Sequence, residues 1–544
     1  MRGLILSATE RRRVRLATAL LAVGLVACGA RAVSVGAAPA AAPSQATPRL
    51  VVMLVVDQLS EPLLERYADV YSGGLRRLLD GGYRYTRATH DHAYTETAAG
   101  HAALSTATFP SRNGIVGNEW REQVGNTWRL VYCMADSLSP IVGYPASPGR
   151  SSANLLRPGL ADWVQATYPG AQIVTVSRKD RSAIALAGKT KGQAYWILSA
   201  AGRFVTSAFY GAALPPWVAR FNAEQMPRFY ADSVWRSEVP ARLVSRARPD
   251  SAAYEGDGVH VVFPHVFGAA DGQRTAAAFN TWVTEATPFA DAAVVALART
   301  AVAELGLGAD DVPDFLGVSL SQTDAVGHDY GPFSLEQLDN LLRLDRLLGE
   351  LFGELDRRVG PGRWVLGMSA DHGIMIEPEY VLAQGGQAHR LTQADNARVR
   401  DAVAAATNAG GTPQEIRDRA AAALRQVPLI AGVYAWDSYA TPADSFAVLY
   451  RNSNVPGRAM GSFYRLGLDV RYVEGTIALA RGTTHGSPYL YDRNVPLLIY
   501  GPAVAPGSSD APARTVDLAP TLATLAGVRF PGDLDGRPLT PARR

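Results

Sequence analysis

The sequence predicts an α/β fold, a doubly wound and mostly parallel sheet with cap insertions. Three observations predict it. Short, nearly continuous apolar runs recur along the chain; segments of helical period lie between them; and the runs end in acidic and imidazole side chains. Continuous apolar runs suit strands buried on both faces of a parallel sheet. Their alternation with helices suits double winding, and polar side chains at strand ends suit the place where such sheets bind ligands.

The elements follow in chain order. Arg2 and the run Arg11-Arg12-Arg13-Val14-Arg15 form a basic head, and Leu16 to Ala27 is an apolar stretch. That stretch is shorter than the roughly 20 residues that span a bilayer, and it has the form of an export signal covering residues 1–32. Two processing sites fit. Leu25-Val26-Ala27-Cys28 resembles a lipobox, which would lipidate Cys28 as a membrane tether; Ala30-Arg31-Ala32 suits an ordinary signal peptidase. A twin-arginine route is a third option. Residues 33–47, rich in Ala, Pro and Ser, read as a flexible linker. The expected location is periplasmic, or outer-membrane-anchored if Cys28 is lipidated. Cys133 is then alone, and no intramolecular disulfide is expected.

Residues 48–544 read as one catalytic domain. Leu50–Val56 is the first strand, stopping at Asp57, and a helical pattern follows through Leu63, Leu64, Tyr67, Leu75 and Leu78. Further strands are expected at Ile173–Val176, Phe315–Leu320, Trp364–Met368 and Val495–Tyr500, with helices over Ala290–Leu305 and Leu335–Val359. Two stretches break the rhythm, about 185–285 and 374–480, and are read as insertions forming a cap. Within the second, Ala397–Gln426 reads as Ala-rich surface helix with a break at Gly410-Gly411. At 47% hydrophobic, 19% charged and a formal net charge of +3, the composition is that of a soluble globular protein. No Lys/Arg block interleaves with aromatics, so no nucleic-acid partner is expected. The oligomeric state is left open.

The strand ends carry the chemistry. Asp57 closes the first strand; Asp324 and His328 follow the strand at 315–320; Asp371-His372 follows the strand at 364–368; His485 precedes the last strand. Three carboxylates and three imidazoles are about the number of ligands that two adjacent divalent ions need, with positions left for substrate oxygens. Mixed O/N donation suits Zn²⁺ and leaves Mn²⁺, Fe²⁺ and Co²⁺ open. Thr97 precedes a small-residue helical stretch, which would set its hydroxyl near a helix N-terminus, an end that attracts phosphate. Taken singly, each residue reads more simply: an Asp or His at a strand end as a cap or surface residue, Thr97 as an N-cap, Lys179 and Arg181 as a solvated turn.

As an ordered set the segments resemble the alkaline phosphatase superfamily, in its exported branch with a threonine nucleophile that includes the phosphate-irrepressible alkaline phosphatases and is related to nucleotide pyrophosphatases/phosphodiesterases. The motifs are Val56-Asp57-Gln58, Thr97-Ala98-Ala99-Gly100-His101, Gly117-Asn118-Glu119-Trp120, Ser177-Arg178-Lys179-Asp180-Arg181, Asp324 with His328, Asp371-His372-Gly373 and Gly482-Thr483-Thr484-His485. The resemblance implies two Zn²⁺ ions, one on Asp57, Asp371 and His372 that also binds and activates Thr97, the other on Asp324, His328 and His485 facing the leaving group. It implies a phosphothreonine at Thr97, with Asn118, Lys179 and Arg181 on the nonbridging phosphate oxygens. The Lys179/Arg181 pair favours phosphate monoesters of small molecules over diesters. Two alternatives stand beside this reading: a nucleotide pyrophosphatase/phosphodiesterase of the same superfamily, and a non-catalytic phosphate-binding lipoprotein. Thr108-Phe109-Pro110-Ser111-Arg112 resembles a sulfatase signature, but Thr108 cannot become formylglycine. His101 is expected to pack behind the nucleophile helix. No role is assigned to His90, His92, His260, His265 or His389, although His389 could reach the site from the cap.

Overall fold

The first strand sets the architecture. All seven residues of Leu50–Val56 (β1) are buried. Leu50, Val52, Leu54 and Val56 join one core layer, and Val51, Met53 and Val55 join the other. A strand with helices on both faces needs apolar side chains at every position, which is why the run does not alternate. Full burial of such a side chain contributes roughly 1.5–3 kcal/mol. In this computed structural model the described residues are 47–230, 232–269, 272 and 274–543. The expected export signal, Cys28 and all of the linker but Thr47 lie outside them.

Ten strands form the main sheet. In chain order they are β1, Tyr83–Thr89 (β2), Ile173–Ser177 (β3), Gln193–Leu198 (β4), Arg203–Val205 (β5), Asp314–Leu320 (β6), Trp364–Ser369 (β7), Asn494–Tyr500 (β8), Gly507–Ser509 (β9) and Ala513–Arg514 (β10). They lie in the order β9-β2-β8-β7-β1-β6-β3-β4-β5, with β10 also paired to β2. The central strands β7, β1, β6, β3 and β4 are mutually parallel. β8 runs antiparallel to β7 and β2, and β5 antiparallel to β4.

The helices that concern the site are Thr97–Thr106 (α1), Asp180–Ala187 (α2), Ala290–Leu305 (α3), Gln322–Tyr330 (α4), Leu335–Arg358 (α5), Gln393–Asn408 (α6), Pro413–Leu424 (α7) and Leu518–Leu525 (α8). α5 starts where Ser334 Oγ accepts the Gln337 N–H at 2.9 Å. It buries Leu338, Leu341, Leu344, Leu348, Leu351 and Leu355 at helical spacing. α3 and α5 cover one sheet face and α8 the other.

The first insertion begins later than composition indicated. Residues 193–198 and 203–205, placed in a cap from the sequence, are strands of the main sheet. Tyr195 and Ile197 face one core layer while Trp196 faces the cluster around α1. β4 buries Ala194 to Ile197 between β3 and β5, but Tyr195 and Trp196 break the aliphatic run that marked the other central strands, and β5 at the sheet edge is only three residues long. The second insertion has its own core, in which Val399 of α6 and Leu424 of α7 pack on Val433 and Leu468. The expected break falls between α6 and α7, where Gly410 and Gly411 take φ of 66° and 111°.

Candidate active site

Strand register brings distant residues together. Val56 lies opposite Leu320, Val55 opposite Ser369, and Ser319 opposite Ser177. The two parallel neighbours of β1, β6 and β7, and β3 beside β6 thus end level with it, and their chain segments lead on to Asp57, Asp324 in the first turn of α4, Asp371-His372, and Lys179. The Asp57 N–H continues the ladder to the Leu320 carbonyl at 2.9 Å.

Two acid–imidazole clusters result. Ligand atoms of Asp57, Asp371 and His372 lie within 4.8 Å of one another, as do those of Asp324, His328 and His485. The clusters adjoin: the His372 and His485 rings stack at 3.5 Å and 13°. Each imidazole is fixed by a main-chain carbonyl. His328 Nδ1 is 2.9 Å from the Thr483 oxygen, His372 Nδ1 is 3.0 Å from that of Gly373, and His485 Nδ1 is 2.7 Å from that of Thr95. A carbonyl can only accept, so each Nδ1 carries the hydrogen and each Nε2 is left with its lone pair in the neutral ring. Those Nε2 atoms face carboxylates, His328 to Asp324 at 3.1 Å, His372 to Asp57 at 3.5 Å, and His485 to Asp324 at 3.6 Å. Asp57 Oδ1 and His372 Nε2 are buried without a hydrogen-bond partner. Two electron-pair donors pointed at each other in a buried site fit a divalent cation between them.

Charge in the cluster is unevenly held. Burial, reinforced by Asp371, pushes the Asp57 carboxyl well above the usual carboxylate range. Against burial, Lys179 and then His328 hold Asp324 well below it. Burial, with His372 and His328 alongside, holds the His485 imidazole down, so that it stays neutral. Lys179 is the cation that links the groups. Its Nζ lies 2.5 Å from Asp57 Oδ2, 2.6 Å from Asp324 Oδ2 and 3.3 Å from Thr97 Oγ1.

Thr97 is the first residue of α1 and is 1% exposed. Every residue of α1 is buried, and the helix is built from small side chains. At Gly100 a Cβ would come 2.1 Å from the Asp371 carbonyl oxygen, so the helix touches the strand-end loop directly. Asn118 Oδ1 accepts the Ala98 N–H at 2.9 Å, which leaves the Asn118 NH₂ as a donor beside Thr97. Glu96 Oε2 in turn accepts the Asn118 N–H at 2.7 Å. Arg181 is in the first turn of α2, two residues beyond Lys179, and its buried Nε has no partner.

The structure adds residues that sequence reasoning left without a part. Gln58 adopts φ 68°, rare for a side chain with a Cβ. That turn sends its N–H to Asp371 Oδ1 at 3.1 Å and its Nε2 to Asp324 Oδ1 at 2.7 Å, bridging the clusters. His101 makes polar contacts in addition to the packing expected of it. Its Nδ1–H donates to the Thr97 carbonyl at 2.9 Å and lies 3.0 Å from Asp371 Oδ2, while Nε2 meets Ser319 Oγ at 2.8 Å. Only its position four residues after Thr97 on one helix face signalled this. His90 Nε2 is 2.9 Å from the Ala370 oxygen and supports the loop carrying Asp371. His389 joins neither cluster; it pairs with Asp395 at the start of α6, Nε2 to Oδ2 3.0 Å. Thr108 lies beyond the far end of α1, bonded to Thr106 at 2.9 Å.

What fold and site define first is a class, a hydrolase of the alkaline phosphatase superfamily in its threonine branch. A family model described as type I phosphodiesterase / nucleotide pyrophosphatase matches residues 51–467. The chain belongs to that family. It is similar to the alkaline phosphatase PafA of Elizabethkingia meningoseptica, 31% identical over 526 residues that cover 91% of this chain and 94% of the relative. The alkaline phosphatase PhoV of Synechococcus elongatus is 31% identical over 523 residues, covering 91% and 93%. The crystal structure of wild-type PafA superimposes with a TM-score of 0.82 at 28% identity, covering 91% of this chain and 98% of that one. These relatives are enzymes, and the non-catalytic reading is set aside.

Proposed function

We propose that the chain is an exported, two-zinc phosphomonoesterase with Thr97 as its nucleophile, serving phosphate scavenging. The observation that carries this reading is the set of three imidazoles whose Nδ1–H groups are tied to main-chain carbonyls, leaving Nε2 lone pairs facing Asp324, Asp57 and, for His372, also Asp371 Oδ2 at 3.6 Å. Asp57, Asp371 and His372 would hold one Zn²⁺ and Asp324, His328 and His485 the other. Bound there, the ions would supply Lewis-acid neutralisation of phosphate oxygens and lower the pKa of a hydroxyl they touch.

The residues of the chain do the remaining work. Thr97 Oγ forms a bond to phosphorus as the bond to the leaving oxygen breaks, and the proton lost from its hydroxyl is balanced by one taken up from solvent by the departing oxygen, giving a phosphothreonine and an alcohol. Water then attacks phosphorus from the side the alcohol left, releasing phosphate and restoring the Thr97 hydroxyl. Lys179 Nζ, 3.3 Å from Thr97 Oγ1, stabilises negative charge on that oxygen. The first turn of α1, the Asn118 NH₂ and Arg181 offer donors for nonbridging oxygens. A monoester dianion has one more charged oxygen than a diester, and a site with both Lys179 and Arg181 is built for that extra charge. The family description gives the phosphodiesterase reading its support.

The test is kcat/KM on p-nitrophenyl phosphate and on its bis ester, for the wild type and Arg181→Ala. A monoester preference of about a hundredfold that Arg181→Ala reduces by roughly tenfold or more is expected from loss of a charge-assisted hydrogen bond. A diester preference in the wild type would move the chain to the phosphodiesterase reading.

A further inference from the structure

The nucleophile segment is held from the second insertion. Tyr94, three residues before Thr97, donates its hydroxyl to Asp469 Oδ1 at 2.5 Å. Asp469 lies on the insertion's Leu468–Tyr472 strand and is 4% exposed. Its other oxygen accepts Trp436 Nε1–H at 3.0 Å and the Tyr439 hydroxyl. The Tyr94 ring meets Tyr450 edge-on at 5.7 Å. Main chain beside Tyr94 is fixed by the same insertion: the Ala93 N–H donates to Ser453 Oγ at 2.8 Å, and Asn452 Nδ2 donates to the Asp91 carbonyl at 2.7 Å. The next residue, Thr95, supplies the carbonyl that orients His485.

We propose that Asp469 and Tyr94 are positioning residues, through which the 374–480 insertion sets the placement of Thr97 and the orientation of His485. This rests on the roles given above to those two residues. The physical basis is the hydrogen-bond balance of one buried carboxylate. Bonds to a charged acceptor are shorter and stronger than neutral ones, and a carboxylate deprived of a donor in a buried site carries an uncompensated desolvation cost. Tyr94 cannot shift without breaking that arrangement, and Thr95 and Thr97 follow Tyr94 through covalent geometry. The insertion is therefore a wall of the active site that fixes the nucleophile, in addition to any role as a cover.

Two variants separate positioning from general stability. Tyr94→Phe and Tyr439→Phe each remove one hydroxyl from the same buried carboxylate, so both should lower the melting temperature by similar amounts. Only Tyr94 is joined to the nucleophile segment. Tyr94→Phe should cut kcat on p-nitrophenyl phosphate by about tenfold or more with KM within about twofold, because small misplacements of reacting groups act on the chemical step. It should also speed inactivation by a chelator, since His485 is less firmly oriented. Tyr439→Phe should leave kcat and chelator kinetics within about twofold of the wild type. Equal kcat and equal chelator kinetics in the two variants, or a Tyr94→Phe loss carried by KM alone, overturns the proposal. Thr97→Ala measured alongside keeps the readings apart. If it retains full turnover, the nucleophile assignment falls, and the chelator comparison still decides the Asp469–Tyr94 role through His485.

Discussion

Thr97 combines three features that favour a nucleophilic hydroxyl: near-complete burial, the first turn of a helix, and an ammonium 3.3 Å away. Replacing it with Ala removes one oxygen and one methyl at a position where Ala is a good helix former, so the fold should survive. Thr97→Ala is expected to cut turnover by roughly a thousandfold or more and to abolish burst release of product, with an unchanged melting temperature. Undiminished turnover would refute the assignment. That the six Asp and His candidates gather into two clusters was legible in residue type and, for Asp57, Asp324, His328, Asp371 and His372, in their place after apolar runs; His485 precedes its strand. Gln58 was not: its bridging depends on a left-handed φ of 68°, and nothing in an isolated Asp-Gln pair requires it. His101 was legible as a buried neighbour of Thr97 but not as a contact of Asp371, 270 residues away.

At the scale of elements, α1 shows why the segment after Thr97 is so poor in large side chains. Ala98, Ala99, Gly100, Ala102 and Ala103 are buried, and the Asp371 loop occupies the space that a Cβ on Gly100 would need. The obstructing atoms are all main chain of Asp371, so relief requires moving either α1 or the Asp371-His372 loop. Gly100→Ala is expected to destabilise the protein by about 1–3 kcal/mol, the range for overpacking, and to lower kcat out of proportion to the fall in melting temperature. A variant with wild-type melting and turnover would show that the helix and loop can separate freely. Central strands such as β1 and β6 could be read from sequence because burial on both faces leaves a continuous apolar run. β4 and β5 could not, since aromatic Tyr195 and Trp196 interrupt the aliphatic run of β4 and the edge strand β5 is only three residues long with one exposed.

At the scale of the whole molecule, six ligand-type side chains from strand ends spread between residues 57 and 485 converge, and like charges are held close in a buried site. Cations would relieve that repulsion, so chelation should cost both activity and stability. Treatment with EDTA is expected to abolish turnover and lower the melting temperature, and Zn²⁺ should restore both. At a free ion concentration one hundred times Kd, a bound ion stabilises by about 2.7 kcal/mol. Restoration by Mn²⁺ but not Zn²⁺ would overturn the zinc assignment while leaving the clusters in place. Sequence by itself determined the fold class, the aliphatic central strands β1, β3, β6 and β7 and the residue types of the site, because local hydrophobic pattern and donor chemistry are properties of short segments. Tertiary structure alone decided which donors share a cluster, where the first insertion begins, that Gln58 and His101 touch the clusters, and that Asp469 bonds Tyr94 three residues before Thr97. Those depend on strand register and on contacts between residues hundreds of positions apart, and no short segment carries that information.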